Sequence, residues 1–233
     1  MTQDAVSLFE KRVADFFGAP YGIAVDCCTH GIELCLRYVN ADYVTLPCHT
    51  ALSVLLLVDK KMKLNWEWKD EIWEGHYELG STKIHDAAVL WEPNAYLPGT
   101  LMVISFQSTK HLDLARGGMI LADDKAAFDT LKKMSYSPFV GQRAHRKLCI
   151  KTAHGDVPSH LRGQNLHQLD TTEWPPMEYH YHMSPQIAEL GLANLSSAIG
   201  RRPREYHIFD WPNLAEEEIT SARTVIDFYG LHA

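Results

Sequence analysis

Lys110 is the residue whose surroundings point most directly to chemistry. It follows an apolar run, 101–104, and precedes a Gly-Gly pair at 117–118. The apolar run predicts a buried strand, so the lysine stands at a strand end and is poorly explained as a solvated charge. Burial there would lower the pKa of the amine and make it a nucleophile, as Schiff-base chemistry with an aldehyde cofactor requires.

A carboxylate accompanies this lysine. Asp86 ends a second short predicted strand, 24 residues before Lys110. A carboxylate at such a place often caps the following helix, so Asp86 on its own is ambiguous. Beside the lysine, it supplies the second group that pyridoxal 5'-phosphate (PLP) requires, an acid that pairs with the pyridinium nitrogen. The two residues together predict a PLP site in which both are catalytic.

The phosphate of such a cofactor needs a cup of N–H groups, which a helix N-terminus provides. Cys28, Thr29 and His30 lie at a predicted junction between a strand and a helix, where the Thr29 hydroxyl would be a further donor. Ser105, on the strand that leads to Lys110, is a second candidate. A threonine at a helix start is more often a cap, so these residues predict a phosphate site only as part of the whole set.

The composition is that of an ordinary globular protein. The 233 residues are 46% hydrophobic and 22% charged, enough for one substantial domain or for a domain with a small appendage. The net charge of −7 argues against nucleic acid or an acidic membrane surface as a partner. The basic cluster Arg201–Arg204 is short, and we interpret it as a solvated loop in preference to a phosphate-binding site.

The cysteines and histidines form no recognisable metal motif. The five cysteines include no CxxC pair, which favours reduced thiols in a cytoplasmic protein. The start of the sequence lacks the regions of a signal peptide, and the longest apolar stretch, 52–58, is too short to cross a bilayer. His180 and His182 would lie on one side of a strand, but no HxxxH or HExxH pattern accompanies them, so no metal is expected.

Apolar periodicity predicts alternating helices and strands. The expected helices are 6–17, 29–39, 50–58, 125–133, 185–198 and 214–230, and the expected strands are 21–25, 43–46, 83–85, 101–106 and 119–121. Ser184 is the expected N-cap of the helix that begins at Pro185. Trp66, Trp68 and Trp73 belong to a segment that could be an edge strand or an exposed binding surface. We prefer the interpretation in which these side chains are half-buried by ordinary packing. The irregular stretch 137–178 is typical of an active-site or dimer-contact loop. The alternation predicts an α/β three-layer sandwich with a mostly parallel sheet.

The sequence resembles the DegT/DnrJ/EryC1/StrS family of PLP-dependent aminotransferases, which act on keto-sugar nucleotides. The segments that carry the resemblance, in chain order, are Thr29 with 32–36, 84–88, 105–112 with 117–119, and 181–192. The resemblance implies a fold-type-I PLP domain over residues 1–200, with Lys110 binding the cofactor and Asp86 pairing with its ring nitrogen. It also implies a homodimer with active sites at the subunit interface. Residues 201–233 would form a short helical appendage, with the family's C-terminal small domain reduced or absent.

Several positions depart from the family pattern. Cys28 stands where the family has glycine, and Val89 where it has glutamine or histidine. The aromatic residue that stacks on the cofactor ring falls near Ala51, which leaves His49 as a substitute. In the loop that reaches the neighbouring subunit, His180 replaces an asparagine and would contact the phosphate of the partner's cofactor.

Two hypotheses of function remain open. In the first, the chain is an aminotransferase that moves an amino group from glutamate to a nucleotide-linked keto-sugar, with Lys110 carrying the proton. In the second, it is a catalytically degenerate PLP-binding or structural homologue that acts as a partner subunit, which Ala51 and Val89 favour. The related sugar dehydratases carry histidine in place of the lysine, so the presence of Lys110 argues against that activity.

Overall fold

The computed structural model describes residues 2–135 and 179–216. Most of the predicted elements lie within these residues. The predicted irregular stretch 137–178, Cys149 and nearly all of the predicted last helix, 214–230, lie outside them.

The described elements follow the predicted order. They are α1 (Thr2–Phe17), β1 (Tyr21–Val25), α2 (Cys28–Tyr38), β2 (Tyr43–Pro47), α3 (Leu52–Leu56) with a π-helical continuation (Leu57–Met62), β3 (Asn65–Lys69), β4 (Tyr77–Glu78), β5 (Ile84–Asp86), β6 (Leu101–Ser105), β7 (Gly118–Ala122), α4 (Lys125–Ser135), α5 (Pro185–Gly200) and a 3-10 turn (Ile208–Asp210). The Ser184 hydroxyl accepts a hydrogen bond from the Ile187 amide, which confirms the predicted N-cap of α5. The short strand β4 was not predicted.

The main sheet is mixed, where a mostly parallel sheet was expected. Its strand order is β1-β7-β6-β5-β4, with β5 and β6 parallel and β7 antiparallel to both of its neighbours. The connection from β6 to β7 contains no helix in residues 106–117, so the chain returns in the opposite direction. β4 and β5 form a short antiparallel pair in the same way. Since β1 and β6 are both antiparallel to β7, the strands β1, β5 and β6 run in one direction.

The two faces of the sheet carry separate apolar cores, and this confirms the three-layer sandwich. One core places Ile23, Val103 and Ile120 against α2, α3 and α4, and the other places Met102 and Leu121 against α1 and α5. Every residue of β6 and β7 is buried, as expected for strands covered on both faces.

The tryptophan-rich segment forms an edge strand. β3 pairs in parallel with β2 in a separate two-stranded sheet. Trp66 and Trp68 are half-buried, and their ring centroids lie 4.9 Å apart. Within residues 2–135 and 179–216, no helix combines the length and the apolar character needed to cross a membrane.

Two glycines bring α2 unusually close to the sheet. A Cβ atom at Gly31 would lie 2.6 Å from Cγ1 of Val103 on β6. A Cβ atom at Gly118 would lie 2.7 Å from the backbone nitrogen of Cys28 and 2.9 Å from its Cα. Backbone atoms have little room to move aside, so the first turn of α2 can rest on the end of β7 only if residue 118 has no side chain.

We expect Gly118→Ala to lower the free energy of unfolding by about 1–3 kcal/mol, because the added methyl group pushes the start of α2 away from β7. Gly200→Ala is the matched control, since a Cβ atom there would meet nothing within 4 Å. Urea denaturation of the two variants measures the difference. Equal stabilities would show that α2 accommodates the methyl group freely.

Candidate active site

The candidate site lies at the edge where the parallel strands of the main sheet end. Asp86 is the last residue of β5, and Lys110 lies in the loop that follows β6. The first turn of α2, Cys28–His30, comes directly after β1. Because the carboxyl ends of strands that run in one direction meet at the same edge, residues far apart in the sequence are neighbours here.

Lys110 and Asp86 line the same cleft, which has about 290 Å³ of open space. Its other lining residues are Ala51, Trp73, Gly75, Tyr77, Ala88, Val89 and Trp211. Trp73, Tyr77 and Trp211 were not predicted as site residues. The structure therefore surrounds the amine and the carboxylate with aromatic rings.

The Asp86 carboxylate is buried, with 6% of the residue exposed. Its Oδ2 accepts a hydrogen bond from the Tyr77 hydroxyl at 2.8 Å, and its Oδ1 accepts one from the Ala88 amide at 2.9 Å. The Tyr77 oxygen also lies 2.5 Å from Oγ1 of Thr50. Burial raises the pKa of Asp86, and the two hydrogen bonds and the charge of Lys110 oppose that rise only in part.

Burial shifts the pKa of the Lys110 amine in the opposite direction, downward. Desolvation lowers its pKa, while the charges of Asp86 and Cys28 act against that shift. The Nζ atom lies 5.4 Å from the ring centroid of Tyr206 and 5.7 Å from that of Trp211. The amine is thus a half-buried base held against aromatic rings.

The loop that carries Lys110 is held by a distant segment, residues 201–214, which we call the strap. Thr109 has a φ of +81°, in the left-handed region that a β-branched residue rarely adopts. Its carbonyl accepts hydrogen bonds from the Tyr206 hydroxyl at 2.6 Å and from the Arg204 guanidinium. These bonds fix the residue that precedes the lysine.

The strap also fixes the residue that follows the lysine. The His111 carbonyl accepts a hydrogen bond from Nη2 of Arg201 at 3.1 Å. The His111 ring bridges two elements, since Nε2 lies 2.7 Å from the Ala198 carbonyl oxygen of α5 and Nδ1 lies 3.3 Å from the Arg204 amide. Lys110 therefore has an anchored neighbour on each side.

The far end of the strap is fastened beside α3. The Leu214 amide donates to the Cys48 carbonyl at 2.9 Å, and Nδ1 of His49 lies 2.7 Å from the Trp211 carbonyl oxygen. Nε1 of Trp73 donates to the His49 carbonyl at 2.8 Å. His49, predicted as a cofactor-stacking residue, holds the strap instead and does not line the cleft.

Of the predicted phosphate ligands at the start of α2, Cys28 lies close enough to Asp86 and Lys110 for their charges to act on its thiol, and none of Cys28, Thr29 and His30 lines the cleft. Burial and the negative charge of Asp86 raise the pKa of the Cys28 thiol, and the charge of Lys110 opposes this rise. The Cys28 Sγ points inward to the Val103 carbonyl oxygen at 3.6 Å. Thr29 is half-buried, and its Oγ1 donates to Oγ of Ser53 at 3.3 Å. The backbone of Cys28 and Thr29 belongs to the first helical turn, where N–H groups have no carbonyl partner within the helix.

His30 belongs to a charged group beside this turn. Its Nδ1 lies 2.8 Å from Oδ1 of Asp26, and this hydrogen bond raises the pKa of His30 to about 9. Nη2 of Arg116 donates to Oδ2 of Asp26 at 3.0 Å. Ligand atoms of Asp26, Cys27 and His30 lie within 4.8 Å of one another, as in a metal site. With His30 protonated, Asp26 pairs with two cations, His30 and Arg116, so these three side chains together carry a net positive charge.

Two predicted ligands lie elsewhere. Ser105 is buried at the end of β6, where its Oγ accepts a hydrogen bond from the Gln107 amide at 3.3 Å. His180 is exposed, with a φ of +59°, in the segment that precedes α5. Neither residue lines the cleft.

Several solved structures with a similar fold are described as aminotransferases. An aminotransferase of the DegT DnrJ EryC1 StrS type from Brucella abortus matches with a TM-score of 0.57 and 14% identity over 84% of this chain and 59% of that one. A protein from Bacillus cereus ATCC 10987, assigned as a PLP-dependent aminotransferase, matches with a TM-score of 0.58 and 14% identity over 83% and 58%. DesI, solved in the presence of its TDP-sugar product, matches with a TM-score of 0.56 and 17% identity over 84% and 53%.

This chain therefore spans less than two thirds of the lengths of these proteins. No family model and no curated protein matches the sequence. At these identities the likeness concerns the fold, and it confirms the PLP-dependent transferase fold type I that the resemblance implied.

We expect Asp86→Asn to raise the free energy of unfolding at pH 7. Since the folded state raises the pKa of Asp86, ionising it above its ordinary pKa destabilises the fold, and the cost grows as the pH rises through the folded pKa. Asparagine carries no such charge, and the Tyr77 hydroxyl can then donate to Thr50. The advantage should shrink as the pH falls toward about 4, which urea denaturation between pH 4 and 8 measures.

Asp15→Asn serves as the control for this comparison. Asp15 is exposed and pairs with Lys11 at 2.7 Å, so its loss should cost no more than about 0.5 kcal/mol. An Asp86→Asn protein that is less stable than the unmodified chain at pH 7 would contradict the expected sign.

Proposed function

We propose that this chain is a PLP-dependent aminotransferase of the DegT/DnrJ/EryC1/StrS family. The observation that carries the proposal is the meeting of Lys110 and Asp86 in one cleft, on a fold shared with aminotransferases. Residues 1–200 would be the PLP-binding domain, and 201–233 an appendage whose first part is the strap. The free thiols of Cys27, Cys28, Cys35 and Cys48 suit the reducing conditions of the cytoplasm.

The donor set of the cleft fits PLP. When bound, this cofactor supplies an aldehyde that reacts with primary amines and a pyridine ring that takes up electron density. Lys110 offers a primary amine of lowered pKa, and Asp86 offers a buried carboxylate in need of a cationic partner. His30 and Arg116 supply positive charge near the first turn of α2, where the phosphate would bind beside Thr29.

Tyr77 can release Asp86 when the carboxylate meets a ring nitrogen. Its hydroxyl lies between Asp86 at 2.8 Å and Thr50 at 2.5 Å, and either Tyr77 or Thr50 can be the donor in the second contact. Turning the Tyr77 proton toward Thr50 frees one lone pair on Oδ2 of Asp86. The anionic carboxylate would then hold a proton on the ring nitrogen.

Lys110 would be both the attachment point and the proton carrier. With its pKa lowered by burial, the Nζ atom is deprotonated more often than a surface lysine and can take a proton from the α-carbon of an amino donor. The anchored residues Thr109 and His111 limit how far the amine can move between these two tasks. Trp73 and Trp211 form walls of the cleft that exclude water from the reacting atoms.

We assign glutamate as the amino donor and a nucleotide-linked keto-sugar as the acceptor. The family resemblance supports both, and the solved complex of DesI with its TDP-sugar product supports the second. A second candidate function, a PLP-binding partner subunit without turnover, is favoured by the rings of Tyr206 and Trp211, which already pack beside the amine.

An absorption spectrum with added PLP tests the proposal. We expect a visible absorption band that Lys110→Ala removes and that glutamate bleaches. Lys133→Ala is the control for reaction at surface lysines, since Lys133 is exposed. A Lys110-dependent band that no amino donor bleaches would favour the partner subunit, and a band that survives in Lys110→Ala would contradict both functions.

We propose further that the chain works as a homodimer. Ile72 and Phe209 are 82% and 74% exposed; Ile72 precedes Trp73, which lines the cleft, and the Phe209 ring lies 5.2 Å from the ring of His49. Apolar side chains at the mouth of a site are suited to a second subunit that completes it. Residue 180 would reach that subunit's cofactor.

Sedimentation equilibrium should give about 53 kDa, twice the 26.5 kDa of one chain. Ile72→Ser combined with Phe209→Ser should shift the equilibrium toward the monomer, because the interface loses its apolar area. Leu8→Ser, on the outer face of α1 and 45% exposed, should leave the mass unchanged. A monomer at all concentrations would rule out a shared active site.

A further inference from the structure

A second cleft lies on the other side of the loop that carries Lys110. It has about 450 Å³ of open space, and its polar lining residues are His111, Asp113, Asn194, Ser197, Arg201 and Arg204. We propose that this cleft binds a phosphate or diphosphate group, with Arg201 and Arg204 as its ligands. The proposal goes beyond the aminotransferase function, because the cleft needs neither PLP nor the Lys110 amine to bind an anion.

The two guanidinium groups are held in place before any ligand arrives. Arg201 donates through Nη2 to the His111 carbonyl at 3.1 Å, and Arg204 donates through Nη1 to the Thr109 carbonyl. A guanidinium has five N–H groups, so each arginine keeps most of its donors available after this bond. Arginines whose orientation is already fixed suit the forked recognition of phosphate oxygens.

The local charge favours an anion even though the whole chain carries a net charge of −7. Arg201 and Arg204 face one carboxylate, Asp113, in the lining of the cleft. Nε2 of the His111 ring lies 2.7 Å from the Ala198 carbonyl oxygen, and Nδ1 accepts a hydrogen bond from the Arg204 amide. The excess of one positive charge therefore comes from the arginines.

The neutral groups of the cleft fit the same ligand. Asn194 and Ser197 are three residues apart on α5 and so lie on one face of the helix. One carbonyl at the helix end, that of Ala198, accepts hydrogen bonds from His111 and from the Arg201 amide. The Ser197 hydroxyl can then serve as a further donor to a ligand with several acceptor oxygens, as a phosphate has.

Arg202, unlike Arg201 and Arg204, lies outside the cleft. It lies between the two ligands in the sequence, yet it forms an exposed ion pair with Glu205 and does not line the cleft. The basic cluster that the sequence alone suggested to be a solvated loop is therefore divided. Two of its arginines face the cleft, and the third is neutralised at the surface.

Isothermal titration calorimetry of the full chain without PLP tests the site, with inorganic phosphate, pyrophosphate and uridine diphosphate as probes. Arg201→Gln and Arg204→Gln should each weaken pyrophosphate binding roughly tenfold or more, since a lost charged hydrogen bond costs about 1.5–3 kcal/mol. Arg202→Gln is the matched control, with affinity expected within about twofold of the unmodified chain. Tighter binding of uridine diphosphate than of pyrophosphate would identify a nucleotide, and equal binding would identify the phosphate group alone.

Both arginines hold the Lys110 loop, so the glutamine variants could lose binding because the loop is disturbed. Arg201→Lys and Arg204→Lys are the controls for that effect. These variants keep the charge but lose the fork, so they should bind pyrophosphate more weakly than the unmodified chain and show the same circular dichroism spectrum. No binding of any probe at about 10 mM, or an equal loss in Arg202→Gln, would overturn the proposal.

Discussion

The close contact between α2 and the end of the central sheet is the constraint on which the candidate site depends. Gly118 leaves no atoms between β7 and the backbone of Cys28, and Gly31 allows α2 to settle on Val103. This contact brings the first turn of the helix level with the ends of β5 and β6. An added side chain at either glycine would push the first turn of α2, and with it the candidate phosphate cup, away from the sheet.

Burial raises the pKa of Asp86 and lowers the pKa of Lys110, and the attraction between the two charges opposes both shifts. Desolvation favours a neutral Lys110 and a neutral Asp86, whereas their mutual attraction favours the ion pair. A site balanced in this way contributes little to stability and retains reactive groups, which is the usual compromise between stability and activity. Tyr77 and Thr50 add a hydrogen bond that can be redirected, so the balance can respond to a bound cation.

Local patterns in the sequence were sufficient for most of the described elements, β4 excepted, and for the positions of Lys110 and Asp86 at strand ends. The apolar run before Lys110 and the short strand before Asp86 each fix a position at a strand end, and parallel strands bring those ends together. The antiparallel β7 was not foreseen, because periodicity reveals a strand but not its direction. Trp211, Arg201 and Arg204 could not be placed at the site from the sequence, since their contacts with the lysine loop span about a hundred residues and follow no local period.

The strap is synthesised well after the lysine loop that it holds in place. Thr109 is joined to Arg204 and Tyr206, which follow it by 95 and 97 residues. As the chain leaves the ribosome at about 5–20 residues per second, the sheet and its lysine emerge several seconds before the segment that fastens them. The core that faces α2, α3 and α4 can begin to form in that interval, whereas α5 in the other core and the geometry around the amine wait for later residues. The geometry that makes Lys110 reactive is thus completed last, after the strands of the main sheet have been synthesised.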